Sequence, residues 1–173
     1  MPIRRLLLAC CLLVACGARS SAATTPPPSS TIDAAVVATA PCTIWDPAAD
    51  PTIAPADVAA PPDAARRSLT GLRWCVMRPG TGNDRPSETD RVTVHYTGWT
   101  TDGQMFDSSH TRGAPATFPV NALISGWTEG LEHMTVGEVR RMWIPQSLAY
   151  AGAMTGPHGM LVFDVELIAI VGR

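Results

Sequence analysis

Two stretches of this chain alternate apolar and polar side chains, and one other stretch recurs at helical spacing. From Arg91 to Trp99, Val92, Val94 and Tyr96 fall on one face and Thr93, His95 and Thr97 on the other. From Met160 to Val171, Leu161, Phe163, Val165 and Leu167 face one way, Asp164 and Glu166 the other. A period of two marks a strand with one buried face. Ile124, Trp127, Leu131 and Met134 recur at spacings of three, four and three, which predicts a short amphipathic helix. Shorter strand-like runs lie at Leu72 to Met77, at Met105-Phe106-Asp107 after the Thr101-Asp102-Gly103 turn, at Phe118-Pro119-Val120, and from Val139 to Ile144, where Pro145 stops the chain. The sum is an α+β domain over residues 68–173: an antiparallel sheet of about five strands with one face packed on one short helix. A domain of about 105 residues can bury a modest but adequate core.

The chain before this domain has a different character. Arg4 and Arg5 followed by an apolar run from Leu6 to Ala15 form a targeting segment over residues 1–15. A run of about ten residues is too short to span a bilayer, which needs ~20. It ends in Leu13-Val14-Ala15-Cys16, which resembles a bacterial lipobox and points to cleavage before Cys16 and lipidation of that cysteine. Leu7-Leu8-Ala9-Cys10 has the same pattern but leaves almost no apolar run before it. The alternative is an ordinary cleaved signal peptide with an incidental cysteine. A lipid anchor would make an exported, membrane-tethered protein, facing the periplasm or cell envelope, without a transmembrane helix. Gly17 after the cysteine is compatible with onward transport to an outer membrane. Residues 16–67 are rich in Ala, Pro, Ser and Thr and have no sustained period, so they read as a mostly disordered linker. The patch Cys42-Thr43-Ile44-Trp45 is the exception, a candidate for docking on the domain.

With Cys16 lipidated, Cys42 and Cys75 remain in an oxidising compartment, and a Cys42–Cys75 disulfide is the simple arithmetic. The alternative is two unpaired thiols, Cys75 packing as a small apolar side chain. The net charge of −2 and the absence of a basic patch argue against a nucleic-acid partner. His95, His110, His133 and His158 lack ligand-like spacing, and no P-loop, GxSxG or HExxH motif occurs, so no metal and no cofactor are expected. What remains is an aromatic set with a few polar handles: Tyr96, Phe106, Phe118, Trp127, Tyr150 and Phe163, with Asp107 and Arg112. Tyr96 and Asp107 sit on adjacent hairpin strands, near enough to share a hydrogen bond, and Arg112 could neutralise the acid. Such a cluster is either a structural polar network or the rim of an apolar ligand pocket.

Five blocks in order carry a resemblance: VHYTGWTTDGQMFDSS from Val94, ISGWTEGL from Ile124, MTVG from Met134, LAY from Leu148, and LVFDVEL from Leu161. Over roughly Leu69 to Val171 the chain resembles the FKBP-type peptidyl-prolyl cis-trans isomerases. The resemblance implies a twisted antiparallel sheet wrapped around a short helix. It implies a pocket floored by Trp127 and walled by Tyr96, Phe106 and Phe163. Leu123 and Ile124 would meet the bound peptide through their backbone, and Tyr150 would offer its hydroxyl. Asp107 would sit at the rim, with Arg112 behind it.

The chain departs from well-known members of that family in two places. Ala116 stands where an aromatic residue is common, with Phe118 two residues on facing the same way. The loop Ala151 to Gly159 is short, which implies an open site and weak binding of the macrolides that the family takes in this pocket. The expected activity is isomerisation of Xaa-Pro bonds in unfolded, exported polypeptides, by a monomer that needs no cofactor. The competing reading is a non-catalytic module that binds proline-containing segments as a chaperone or scaffold.

Overall fold

The computed structural model describes residues 42–151 and 156–172. The targeting segment, Cys16 and the linker as far as residue 41 lie outside these. Among the described residues, seven strands and one α-helix follow in chain order: β1 (Arg66–Arg67), β2 (Arg73–Arg78), β3 (Arg91–Thr100), β4 (Met105–Ser108), β5 (Ala116–Pro119), α1 (Ser125–Glu132), β6 (Val139–Ile144) and β7 (Leu161–Ile170). They form one sheet in the order β1-β2-β6-β7-β3-β4, with β5 beside β4 on the same edge of β3. Every pairing is antiparallel.

The expected five strands become seven for local reasons. Two-residue β1 adds to the edge of β2. The outer edge of the ten-residue β3 is long enough to take two partners: β5 pairs with Arg91–Val94 and β4 with Thr97–Trp99. The helix is shorter than the apolar spacing suggests. Ile124 is extended and caps its start, and His133 caps its end, so Met134 lies beyond it.

The inner face of the sheet holds the main core. Leu72, Val92, Val94, Met142, Ile144, Leu161, Val165 and Leu167 pack with Trp127 and Leu131 of α1. Gly126 and Gly130 let the helix lie close to the sheet, because a Cβ at either would collide with Ile144 or Met142. Arg140, buried on β6, donates to the carbonyls of Gly130 and His133 at the end of α1, and to Glu138.

The outer face is covered as well, by the docking candidate Cys42 to Trp45 and by residues 46–67, which were expected as linker. This stretch is an ordered strap. A disulfide joins Cys42 to Cys75 with Cα atoms 5.6 Å apart. The Trp45 amide donates to the Met77 carbonyl at 3.1 Å. The indoles of Trp99 and Trp143 donate to the carbonyls of Thr52 and Asp57. Arg141 pairs bidentately with Asp164 beside it in the sheet and with Asp57 in the strap. Ala65, Cys75, Trp143 and Val162 form a second apolar cluster beneath it. With both faces covered, all six residues of β6 are buried, its two arginines included.

Candidate active site

Alternation along a regular β4 would put Phe106 and Asp107 on opposite faces. A β-bulge puts both in one place. Trp99 pairs with Met105 while Gly98 pairs with Asp107, so β4 carries one residue more than β3 at this point, and Phe106 is the extra one. Both side chains then line the same cavity on the inner side of the sheet. Gly98 lies beneath them, paired with Asp107 on one side and Phe163 on the other. A Cβ there would come within 2.6 Å of Phe163 and 2.8 Å of Phe106, so these two rings take the space of the missing side chain.

The cavity encloses about 200 Å³. Its apolar body is a set of crossed rings. Trp127 meets Tyr96 edge-on with centroids 5.2 Å apart and Phe163 at 5.3 Å, and Phe106 meets Phe163 at 5.4 Å. Edge-to-face packing fixes each ring against its neighbour's π-cloud and holds the walls rigid. Phe118 completes one side, 6.5 Å from Trp127. Trp127 enters from the first turn of α1, whose amide bonds to the Ile124 carbonyl at 2.9 Å. The segment just before the helix brings Ala122, Leu123 and Ile124 to the wall, and Tyr150 approaches from the turn after β6.

The polar rim is one closed network. The Tyr96 hydroxyl donates to Asp107 Oδ2 at 2.5 Å. Arg112 donates from Nη1 to Asp107 Oδ1 at 2.5 Å and from Nη2 to the Tyr96 hydroxyl at 2.7 Å. Partial burial opposes the charge on Asp107, yet the Tyr96 and Arg112 hydrogen bonds hold its carboxyl below the usual value. Burial and the neighbouring carboxylate push the Tyr96 hydroxyl up. At neutral pH the rim is therefore a carboxylate, a neutral phenol and a guanidinium, with no group poised to give or take a proton. Burial also pushes the Tyr150 hydroxyl up. Among the described residues that hydroxyl has no hydrogen-bond partner, so it is free to donate.

Nine residues singled out in the sequence line this cavity: Tyr96, Phe106, Asp107, Phe118, Leu123, Ile124, Trp127, Tyr150 and Phe163. Arg112 stands behind, touching the cavity only through Asp107 and Tyr96. Ala116 packs on the main core from β5. Ala122 and Gly98 were not singled out in the sequence. Ala122 carries no distinctive chemistry. Gly98 has a signal in principle, since a glycine inside a strand marks a close approach.

Fold and cavity together define a class: a sheet folded around one helix, presenting a rigid aromatic cleft with a neutral-pH polar rim and no nucleophile. The family described as FKBP-type peptidyl-prolyl cis-trans isomerase matches residues 82–168, and the chain belongs to it. It is 50% identical over 111 residues to the FKBP-type peptidyl-prolyl cis-trans isomerase FkpA of Aeromonas hydrophila, covering 62% of this chain and 41% of that protein. It is 41% identical over 105 residues to the outer membrane protein MIP of Legionella longbeachae, covering 58% of this chain and 45% of that one. The crystal structure of FkpA from Escherichia coli superposes with a TM-score of 0.57 at 40% identity, covering 61% of this chain and 51% of that structure. The chain thus spans about half the length of the curated relatives it matches.

Proposed function

We propose that this domain is a peptidyl-prolyl cis-trans isomerase acting on Xaa-Pro bonds of exported polypeptides. The observation that carries the reading is the pairing of an apolar aromatic cleft with a rim network that holds no proton-transfer group. Rotation about a prolyl bond crosses a barrier of ~18–20 kcal/mol, and unaided it takes tens to hundreds of seconds. No covalent bond breaks, so neither a nucleophile nor a cofactor is required. As the amide twists it loses resonance and its carbonyl becomes less polar. A water-poor cleft therefore favours the twisted amide over the planar one. The prolyl ring would rest on Trp127 between Tyr96, Phe106 and Phe163. The backbone of Leu123 and Ile124 would align the peptide, and Tyr150 would donate to a substrate carbonyl. Asp107, oriented by Tyr96 and Arg112, would act by position and not as an acid or base.

Export belongs to the same reading. The lipobox-like Leu13-Val14-Ala15-Cys16 supports a lipid anchor at Cys16, and the name of the Legionella relative, an outer membrane protein, is consistent with an envelope location. Mass spectrometry of the mature N-terminus tests this: a diacylglyceryl cysteine is expected, and an unmodified residue other than Cys16 would rule the anchor out.

The activity is tested with a protease-coupled assay on a short Xaa-Pro peptide. Accelerated isomerisation at micromolar protein is expected, with a large loss in Trp127→Leu. A folded sample that binds proline peptides without accelerating them would return the domain to the binding-module reading. An unaltered rate in Trp127→Leu would overturn the pocket assignment.

A further inference from the structure

A larger cavity, about 440 Å³, opens on the other face of the sheet, between the strap and β2, β6 and β7. Its walls include Ile44, Trp45, Ile53 and Pro55 of the strap and Met77, with Arg141 and Asp164 at its base. That volume lies in the range of ligand pockets, and the lining is mostly apolar. The strap wall is pre-formed. The disulfide pins its start, and Asp46 and Asp50 fold it into successive turns by accepting from the amides of Ala48 and Thr52. On this stiff wall Ile44 is 82% exposed and Ile53 69% exposed, an arrangement that leaves two large apolar side chains in water beside an apolar cavity.

Charge selects among occupants. Asp46, Asp50 and Asp164 line the cavity against the single cation Arg141, and Arg141 is shared with Asp57 from the strap. The local field is negative, so a basic group is attracted and an acidic one repelled. We propose that this cavity is a second polypeptide-binding site, taking an extended segment in which aliphatic side chains flank an arginine or lysine. The aliphatic groups cover Ile44 and Ile53, and the basic group faces Asp46 and Asp50. The choice of a polypeptide rests on the isomerase reading, because an enzyme acting on unfolded chains gains effective concentration from a second hold on the same chain.

The test uses the full chain and two dye-labelled peptides without proline, one alternating leucine and arginine, the other leucine and glutamate, in fluorescence anisotropy titrations. The arginine peptide is expected to bind saturably at micromolar concentration and the glutamate peptide at least tenfold more weakly. The double variant I44S/I53S is expected to weaken binding of the arginine peptide at least tenfold with isomerase activity on a short Xaa-Pro peptide unchanged. D46N/D50N, which keeps the turn-forming side-chain oxygens, is expected to weaken it severalfold. Both isoleucines are exposed, and a thermal melt checks that the variants fold. Three results overturn the site: no saturable binding, as when a stretch of this chain preceding Cys42 is the true occupant; equal binding of the two peptides; or no effect of I44S/I53S. Peptide binding without isomerase activity would sink the function proposed above and leave this site standing, and the converse result would do the reverse.

Discussion

Adding one methyl group at Gly98 would press it against the facing rings of Phe106 and Phe163, which wall the cleft from two different strands. Neither ring can retreat without disturbing the edge-on packing that ties Phe163 to Trp127. Gly98→Ala is therefore expected to lower kcat/KM on an Xaa-Pro peptide at least tenfold and stability by ~1–3 kcal/mol, the usual range for overpacking. Steady-state kinetics and urea unfolding measure the two effects, and an unaltered rate would show that the rings do not define the cleft. The rim makes its own prediction. The ordinary aspartate value is 3.8, and Asp107 lies below it in the folded protein. Its carboxylate therefore contributes stability and orientation that are fully present above 3.8 and are lost only as pH falls through the lower folded value. Exchange rates from NMR on a non-titrating peptide should stay level from pH 8 to about 4. A loss centred at pH 6–7 would instead indicate proton transfer by another group.

At the scale of elements, α1 reaches the sheet through Gly126 and Gly130 on one side of the helix. The two differ in what a Cβ would strike. At Gly130 it meets the flexible thioether of Met142, and at Gly126 the branched carbons of Ile144. Alanine gains about 1 kcal/mol of helix propensity over glycine at either position. Gly130→Ala should come out near neutral because methionine re-packs easily. Gly126→Ala should lose ~1–2 kcal/mol net of that gain, since a β-branched side chain has little room to turn. Urea midpoints decide the order, and a reversed order would contradict the packing described. These elements were legible from sequence because periodicity states which face is buried: β3, β7 and α1 all carry it. β6 is harder to read, because Arg140 and Arg141 look like a surface pair until Glu138, Asp57 and Asp164 are found around them. The pairing of Phe106 with Asp107 was legible as chemistry but not as geometry. A bulge shifts register by one residue, and period alone cannot foretell it. Of the strap, only the start was legible, through the expected Cys42–Cys75 bridge and the docking patch Cys42 to Trp45. Its composition is that of a linker, and its order comes from a disulfide, two side-chain-capped turns and an ion pair between residues 84 apart in sequence.

For the molecule as a whole, the strap makes the sheet the middle of three layers. The sheet and the inner layer build the aromatic cleft, and no strap residue lines it. The Cys42–Cys75 bridge closes a loop with a sequence separation of 33 residues, for which chain entropy gives roughly 3–4 kcal/mol. Replacing both cysteines by serine should lower stability by about that amount. It should leave the isomerase rate at 25 °C unchanged while the chain stays folded. Thermal melts with and without reductant, paired with the peptide assay, measure both, and a parallel collapse of activity and strap would show that the layers are not independent. β7, the last of the described strands, sits at the centre of the sheet, between β6 and β3, and supplies Phe163 to the cleft. A chain released residue by residue, from a ribosome or across a membrane, has no middle to its sheet until Leu161–Ile170 arrive. Assembly of the sheet must therefore wait for β7. A fragment ending at Met160 is expected to show no cooperative thermal transition by circular dichroism, although it contains most of the residues of the cleft.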